Sequence, residues 1–545
     1  MTDTLVETLT REDVEQLASV GISEEEARRQ LALLTHPPDP LTLDRPATLG
    51  DGIVALPEDR HAPLVERFEA TMEQGGVVKF VPASGAATRM FKALTSWLLE
   101  EDSEPTEPVR RVVAELDRFA FYDDLVKAAE ARGEELGALR ERHDHRRILE
   151  LTLTGEGLAL TDLPKGLIPF HKIPPWSPLY ERGEEARTPF EEHLVEAARY
   201  ARAEDGTCRL HFTVSPEHEA GFRELLATRG EELGERLGCR FEVGFSHQSH
   251  ATDTLAVTPE GEPFRLDDGS LLLRPGGHGA LIGNLAALAE RGGAGLVMVK
   301  NIDNVVPDER KGPTVRTKKL LGGLLLTLRD RAFELLTRLE ADGAGQDGEL
   351  LDAAERFAAE ELFRSLPVVK SPLGPPFTKG GKQGSSGRRS PAGSPAERRQ
   401  RLIELLDRPL RVCGVVKNEG EPGGGPFWVA GDGGASLQIV EGSQVAKEQQ
   451  AVFAAGTHFN PVDLVCSWTD RHGEPYDLER FIDPDTVFIA RKSHEGRPLD
   501  ALERPGLWNG AMAGWNTVFV EVPIETFAPV KTVLDLLRPV HQATG

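Results

Sequence analysis

The sequence predicts an α/β protein built around a mostly parallel β-sheet with helices on both faces. Between about residues 60 and 365, short runs rich in Val, Ile, Leu and Phe alternate with amphipathic helical segments. Parallel strands need a crossover connection, and each gap here is long enough to hold one. From about residue 409 the chain becomes β-rich again, which adds further strands.

Each element of this prediction can be placed on the chain. The strand candidates of the first block are 77–82, 208–214, 240–245, 254–258 and 295–300. Its helix candidates lie near 61–74, 87–100, 108–136, 189–203, 216–236 and 281–291, followed by helices at about 316–340 and 349–364. The later strand candidates are 411–418, 427–431, 436–442, 464–468, 486–492 and 516–523.

The chain divides into four parts by composition. Residues 1–60 are expected to form a helical extension, since Ser23 and Glu26 are spaced as a capping box. Residues 61–369 form the α/β core, with a mostly helical insertion at about 93–160. Residues 370–400 are basic and rich in Pro, Gly and Ser, which is typical of a flexible insertion or of a flap that closes over an anion. Residues 401–545 form the β-rich part.

Charge and composition exclude several classes of protein. The formal net charge of −25 argues against a nucleic-acid partner, which requires a basic face, although a local basic cleft can still bind small anions. No run reaches the roughly 18 apolar residues of a membrane span. The acidic N-terminus is unlike a signal peptide. We therefore expect a cytoplasmic protein with reduced thiols at its four separated cysteines, which are Cys208, Cys239, Cys413 and Cys466.

The stretch 77–92 is the first candidate site. A buried strand runs into a loop of small residues, and a helix then opens at Thr88 and Arg89. Such loops hold phosphate because the backbone can approach the ligand and the first helical N–H groups point at it. Arg89 adds donors suited to phosphate oxygens. The alternative is a tight strand-to-helix turn that is packed only for structure.

Three further segments carry polar groups. Lys165 lies in a P-K-x-L-I-P run, with His171 and Lys172 nearby. Together these three side chains would form the basic group that an anion site needs. The alternative is that Lys165 is a surface lysine whose stem lies on apolar residues. Gly276-Gly277-His278-Gly279 precedes a helix and lets the backbone run close to a ligand. Asp303 follows the strand 295–300, at the edge where open α/β sheets bind ligands. A carboxylate there could bind Mg²⁺. The alternative is that Asp303 only caps the turn after the strand.

The order of these motifs resembles the sugar-1-phosphate nucleotidyltransferase superfamily, whose signature is G-x-G-T-R followed by P-K-x-L-x-P. Residues 84–89 match the first part, and Pro164, Lys165, Leu167 and Pro169 match the second. The P-G-G-H-G and N-I-D-N segments, with 411–420, 437–444 and 454–465, look more like the branch of UDP-sugar and UDP-N-acetylhexosamine pyrophosphorylases. The chain is also similar to an uncharacterised bacterial family of about this size.

This resemblance implies a fold, a reaction and a set of site residues. The fold is the three-layer, Rossmann-like arrangement of GT-A-type nucleotide-diphospho-sugar transferases, with residues 401–545 completing the sugar-binding side. The reaction joins a nucleoside triphosphate, with UTP favoured, to a sugar 1-phosphate, and Mg²⁺ is the implied cofactor. The implied catalytic residues are Arg89 and Lys165; the nucleotide-binding residues are Ser84, Gly85, Ala86, Thr88, Gln248, Gly276, Gly277 and His278; the sugar-binding residues are Glu441 and Asn460; and the metal ligands are Asp303 and Asp463.

Two other functions remain open on the sequence. A glycosyltransferase on the same fold usually has a D-x-D motif, of which Asn301-Ile302-Asp303 offers half. A nucleotide or sugar sensor without catalysis is favoured by the altered first loop, in which Ala87 replaces the glycine before Thr-Arg. A side chain at a position that needs positive φ is strained, so we expect a shifted loop path.

Overall fold

The computed structural model describes residues 9–85, 87–100, 103–180, 186–292, 295–343, 345–364, 366, 394–420, 423–431 and 434–542. Within these residues the strands are β1 (Leu43–Pro46), β2 (Thr48–Leu49), β3 (Gly52–Val54), β4 (Val77–Pro82), β5 (His171–Lys172), β6 (Ala186–Arg187), β7 (Thr207–Thr213), β8 (Arg240–Ser246), β9 (Ala256–Val257), β10 (Leu296–Lys300), β11 (Leu410–Lys417), β12 (Gly425–Val429), β13 (Ser436–Val440), β14 (His458–Ser467), β15 (Phe488–His494), β16 (Arg497–Glu503) and β17 (Asn516–Glu521).

The α-helices surround these strands. They are α1 (Arg11–Ser19), α2 (Glu24–Thr35), α3 (His61–Glu73), α4 (Thr88–Leu99), α5 (Glu107–Ala114), α6 (Tyr122–Ala131), α7 (Leu136–Glu141), α8 (His145–Leu153), α9 (Pro189–Tyr200), α10 (Pro216–Leu225), α11 (Glu231–Leu237), α12 (Leu281–Glu290), α13 (Lys311–Ala341), α14 (Gly348–Glu360), α15 (Pro395–Leu406) and α16 (Gln450–Ala454).

A nine-stranded sheet forms the centre, in the order β2-β3-β17-β11-β14-β10-β4-β7-β8. Strand β14 runs antiparallel to both of its neighbours, and the other pairings in this sheet are parallel. The central strand β4 is apolar almost throughout and fully buried up to Pro82, as a strand covered on both faces requires. The predicted α/β class with a mostly parallel sheet is confirmed.

Three hydrophobic cores fix the layers around this sheet. One face packs against α3, α9 and α13, through residues such as Phe68, Phe190 and Leu321. The other face packs against α12 and the small sheet β1-β12-β13. Helices α4 to α8 form a separate core with residues 533–537 of the C-terminal segment. The helical insertion therefore lies directly beside the segment that ends the chain.

The structure corrects the expected division of the chain. Residues 43–54 are not part of a helical extension: β1 pairs with β12, and β3 joins the central sheet through β17. These strands are two to four residues long, too short for an alternating apolar pattern to reveal them. The β-rich part places β11, β14 and β17 in the same sheet as β4, so the two parts share one core.

Two other sequence-based expectations concern particular segments. Of the basic insertion expected at 370–400, the part up to residue 393 lies outside the described residues. Helix α15 begins at Pro395. The strand expected at 254–258 is only the two-residue β9, which joins the separate sheet β15-β16-β9. Among the described residues, no helix is long and apolar enough to cross a membrane.

Candidate functional site

The loop after β4 lies at the carboxyl edge of the parallel sheet. Ala83, Ser84 and Gly85 follow the strand, and α4 begins at Thr88. The cap residue Ala87 makes no side-chain cap hydrogen bond, and the Met90 amide donates to the Ala87 carbonyl at 2.8 Å. The Thr88 and Arg89 amides thus keep their capacity to bind an anion. Thr88 and Arg89 are exposed on this turn. Ala86 lies outside the described residues.

The loop is not strained by its missing glycines. Ala87 has φ −77°, an ordinary value, and neither Ala83 nor Ser84 has a positive φ. Gly85 also lacks a positive φ, and a Cβ added to it would meet nothing within 4 Å. The described loop residues therefore accommodate their side chains without backbone strain. The expected shift of the loop path stays a prediction.

The P-K-x-L-I-P segment packs directly on this loop. The Ala87 amide donates to the Leu163 carbonyl at 3.2 Å, and the Lys165 amide donates to the Gly85 carbonyl at 3.4 Å. The two motifs that are separated by the helical insertion in sequence are thus adjacent in space. The core of α4 to α8 includes both Ala87 and Ile168, and this shared packing holds the two segments together.

Lys165 and Asp303 form the centre of the site. The Lys165 Nζ donates to the Asp303 Oδ2 at 2.6 Å and to the Val530 carbonyl at 2.6 Å. The Val530 amide in turn donates to the Asp303 carbonyl at 3.2 Å. The side chains of Lys165 and Asp303 are 15% and 19% exposed. This pair is ordered by its neighbours yet remains open to a ligand.

His278 lies in the short turn Gly277–Ala280 that precedes α12, near the Lys165–Asp303 pair. Although its side chain is exposed, surrounding protein removes part of its water and lowers its pKa below the ordinary value; the Glu441 carboxylate opposes this shift and the Arg89 cation adds to it. Asp303 also acts on it. Its ring lies 4.5 Å from the Trp508 ring, centroid to centroid. Arg89, Asp303 and Glu441 are therefore within electrostatic reach of His278.

The glycines beside His278 have different reasons to be glycine. A Cβ on Gly276 would lie 2.5 Å from the Thr252 carbonyl oxygen, so protein packing already excludes a side chain there. Gly277 has φ +59° with open space around it. The open position is the one whose backbone a ligand could approach. The nucleotide-binding role of this turn stays a prediction.

The carboxyl ends of β7 and β8 hold a buried polar group that the motifs did not indicate. The Ser246 hydroxyl contacts the His211 Nε2 at 2.8 Å and accepts from the Asn284 Nδ2 at 2.9 Å. Asn284 also donates to the His247 carbonyl at 2.8 Å. Burial lowers the pKa of His211 to about 4, which keeps this imidazole neutral. The network fixes the chain just before half-buried Gln248.

The predicted sugar residues occupy different surroundings. Glu441 is half-buried directly after β13, and its amide donates to the Gln444 Oε1 at 2.9 Å. Asn460 is 4% exposed, and its Oδ1 accepts from the Val462 amide at 3.2 Å. That bond supports an irregularity within β14, where Val462 has φ +57° and the register with β11 shifts. The sugar-binding roles of Glu441 and Asn460 stay predictions.

Asp463, the predicted second metal ligand, lies inside the core and is closed off from the cleft. Its side chain is fully buried and forms an ion pair with the fully buried Lys318. Lys318 also donates to the carbonyls of Val299 and Leu464. This placement argues against a metal role for Asp463, because an adjacent ammonium neutralises the carboxylate and no solvent path reaches it. The described residues contain no group of three or more His, Cys, Asp or Glu side chains placed to hold a metal ion.

The basic group expected around Lys165 does not form. His171 is buried, with its Nδ1 2.8 Å from the Glu192 Oε1 and its Nε2 3.1 Å from the His541 Nδ1. Lys172 donates to the Asp117 carbonyl at 2.6 Å. The expectation of one anion site made by Lys165, His171 and Lys172 is wrong, since the last two serve buried or local contacts. Only Lys165 reaches the cleft.

The match to known families identifies the chain. It matches a family described as a domain of unknown function, DUF4301, over residues 10–374 and 386–542. The chain belongs to this family, and the expected similarity to a family without an assigned activity is confirmed. No curated protein is similar enough to the chain to count as a match.

Solved structures similar to the chain come from the enzymes that its motifs resemble. A UDP-glucose pyrophosphorylase from Leishmania major is 14% identical, with a TM-score of 0.43 over 98% of this chain and 78% of that one. A UDP-N-acetylglucosamine pyrophosphorylase from Trypanosoma brucei is 12% identical, with a TM-score of 0.44 over 98% of this chain and 81% of that one. Similarity this distant carries no conclusion about activity.

Proposed function

We propose that the protein is a nucleotidyltransferase that joins a nucleoside triphosphate to a sugar 1-phosphate and releases pyrophosphate. The observation that carries this proposal is the Lys165–Asp303 pair, held against the loop of residues 83–89 at the carboxyl edge of a parallel sheet. A cation and a carboxylate beside free helical N–H groups form a site suited to phosphate. The motif order supports the same reaction, with UTP favoured.

In this proposal the residues of the cleft position charge and perform no covalent chemistry. The sugar-phosphate oxygen attacks the α-phosphorus in line, the bond between that phosphorus and the oxygen bridging to the β-phosphate breaks, and pyrophosphate leaves. Arg89 and the first turn of α4 hold the departing phosphates. Lys165 contacts the α-phosphate and neutralises charge that develops on it. Such preorganised charge is the largest contribution a site of this kind can make.

Asp303 fits a magnesium site that substrate phosphates complete. Lys165 binds its Oδ2, and its Oδ1 has no hydrogen-bond partner within the described part of the chain. Mg²⁺ in phosphate-transfer sites commonly takes one or two carboxylates together with phosphate oxygens and water. Bound there, the cation would neutralise phosphate charge. The chain's own part is to hold the Asp303 carboxylate in place through Lys165 and the backbone of Val530.

The remaining roles follow from position around this centre. Ser84, Gly85 and Thr88 would contact nucleotide phosphates from the loop, together with Ala86. Gln248 and the turn of Gly276, Gly277 and His278 would contact the base. Glu441, within electrostatic reach of His278, would accept hydrogen bonds from sugar hydroxyls, with Asn460 as the second sugar contact.

A pyrophosphate-release screen tests this function. The full chain is incubated with Mg²⁺, each of the four nucleoside triphosphates and a panel of sugar 1-phosphates. At least one pair should release pyrophosphate, and Lys165→Met should lower that rate about 10²–10³-fold. The control is Lys127→Met, which removes an exposed lysine on α6. Nucleotide binding without release would favour the sensor, and sugar transfer from a nucleotide sugar would favour the glycosyltransferase; either result overturns the proposal.

A further inference from the structure

A large cavity lies at the other half of the sheet's carboxyl edge. It has a volume of about 980 Å³ and is bounded by the first turns of α3 and α13 and by residues 520–525, at the end of β17 and beyond it. Its walls contain none of the residues of the Lys165–Asp303 cleft. Sites for small molecules are concave and commonly enclose about 300–1,000 Å³. The cavity is large enough to be a second ligand site.

The walls of this cavity are apolar. Leu320 and Leu321 contribute from α13, and Val520, Val522 and Ile524 contribute from the end of β17 and beyond. Ile524 is 40% exposed, which is unusual for a large aliphatic side chain in this structure. Covering these walls would remove apolar surface from water, so an apolar body is the favoured part of any ligand.

The charges at the cavity are mainly negative. Four glutamates border it, against Arg316 and Lys417; the four are Glu58, Glu419, Glu521 and Glu525. Arg316 is engaged through a 3.0 Å hydrogen bond to the His61 Nδ1. Lys417 approaches Glu521 no closer than 3.9 Å and is 73% exposed. Apolar walls of low dielectric concentrate the field of such a group, which favours a cation.

One polar side chain of the cavity wall makes no hydrogen bond with the described residues. Thr317 lines the cavity and is only 4% exposed. Its hydroxyl makes no hydrogen bond within the described part of the chain, although neighbouring lysines on α13 are fully engaged. The Thr317 hydroxyl is therefore a donor and acceptor that a ligand in the cavity could use.

A short series of hydrogen bonds connects the cavity wall to the Lys165–Asp303 pair. Beyond Glu525, the Thr526 carbonyl accepts from the Asn304 Nδ2 at 3.3 Å, and the Ala528 amide donates to the Asn304 Oδ1 at 2.9 Å. Two residues later, Val530 bonds both Lys165 and Asp303. A displacement of residues 523–525 would therefore act on the backbone that holds Lys165.

We propose that this cavity binds a small molecule that joins an apolar body to a positively charged group, and that its occupancy acts on Lys165 and Asp303 through residues 523–530. The binding site stands on the cavity alone. The regulatory part rests on the proposed function, since it assigns Lys165 and Asp303 to the reaction. The effector is a cation because the carboxylates outnumber the basic groups at the walls.

Three probes of one shape test the binding site. Calorimetry on the full chain compares 4-phenylbutylamine, 4-phenylbutanol and 4-phenylbutyrate, which carry a positive, no and a negative charge. The amine should bind at one saturable site and more tightly than the other two. The double variant Glu58→Lys/Glu525→Lys should weaken amine binding about tenfold, the size that two exposed charge reversals supply. Absent saturable amine binding, or equal binding of all three probes, overturns the site.

A matched control separates a local effect from one of net charge. Glu130→Lys/Glu141→Lys makes the same change in charge on exposed positions of α6 and α7 and should leave amine binding unchanged. Equal weakening in both double variants would overturn the cavity as the site. All four substituted glutamates are exposed, so each variant should fold.

Hydrogen exchange and nucleotide affinity test the coupling. Saturating amine should slow exchange of the Ala528 and Val530 amides, and it should change nucleotide affinity about fivefold, with nucleotide changing amine affinity by the same factor. Unchanged exchange at both amides overturns the coupling. If no nucleotide binds while the amine binds and slows exchange, the proposed function fails and the cavity site stands.

Discussion

Two lysine–aspartate pairs occupy neighbouring parts of this molecule and have opposite consequences. Lys165 and Asp303 meet beyond the end of β10, with side chains that are 15% and 19% exposed. Lys318 and Asp463 meet beneath the sheet, and neither is exposed at all. The chemical groups are the same. The two pairs differ in solvent access, which depends on where each aspartate lies along its strand. Solvent access therefore distinguishes a candidate catalytic pair from a structural pair.

The position of each aspartate explains the difference. Asp463 lies within β14, opposite Lys300 on one side and Gly414 on the other, so its side chain must enter the core. Asp303 comes three residues after the end of β10, where the chain turns at the sheet's edge. A buried pair of charges is stable only while both partners remain, whereas a partly exposed pair tolerates the loss of one.

Removing the buried carboxylate should have the largest effect. Asp463→Asn leaves the Lys318 ammonium unpaired in the core, and we expect a loss of about 3–5 kcal/mol in the free energy of unfolding. The matched change Asp303→Asn should cost only about 1 kcal/mol, because water solvates the remaining lysine. Urea unfolding of both variants measures the difference. Equal losses would show that the two pairs are not distinguished by burial.

Pyrophosphate release should depend on the partly exposed pair and not on the buried one. Lys165→Met and Asp303→Asn should each lower pyrophosphate release about 10²–10³-fold, and the double variant should be little worse than either, because the two groups act as one unit. Asp463→Asn, measured at a temperature where it stays folded, should keep most of the activity. Fully multiplicative losses in the double variant would mean that Lys165 and Asp303 act separately.

A pH titration extends the comparison to His211, a buried histidine in the network that holds the chain before Gln248. The pKa of His211 falls from 6.5 to about 4 on folding, so its stabilising contribution is complete above pH 6.5 and is lost as the pH falls through 4. The difference corresponds to about 3 kcal/mol. Unfolding of wild type and His211→Gln between pH 7 and pH 4 measures it. The variant should show a shallower loss of stability with acid; identical pH profiles would contradict the assignment.

Two glycines should give the smallest and most selective effects. Gly85→Ala places its Cβ in open space and should change stability by no more than about 0.5 kcal/mol, while weakening nucleotide binding if phosphate approaches that backbone. Gly276→Ala brings a Cβ to 2.5 Å from the Thr252 carbonyl and should cost more stability. Thermal unfolding and nucleotide titration of both variants compare them. A large loss of stability in Gly85→Ala would contradict the open loop.

Much of the fold and part of the site followed from local sequence patterns. The residues of β4 and of the later strands show apolar runs because their burial is continuous. Lys165 and Asp303 stood out in the sequence because each lies in a short motif near the boundary of an element, and their roles stay predictions. Asp463 was expected in the cleft because of a motif resemblance, which does not reveal that β14 is buried along its whole length. The Asn304 bonds to residues 526–528 link positions far apart in sequence, which no local pattern shows.

A structure of the full chain soaked with UTP and Mg²⁺ tests the central claim most directly. We expect the triphosphate to lie between the first turn of α4 and the Lys165–Asp303 pair, with the α-phosphate within hydrogen-bonding distance of the Lys165 Nζ. The base should lie near Gln248 and His278. A nucleotide bound elsewhere on the molecule, with the Lys165–Asp303 pair free, would contradict the account.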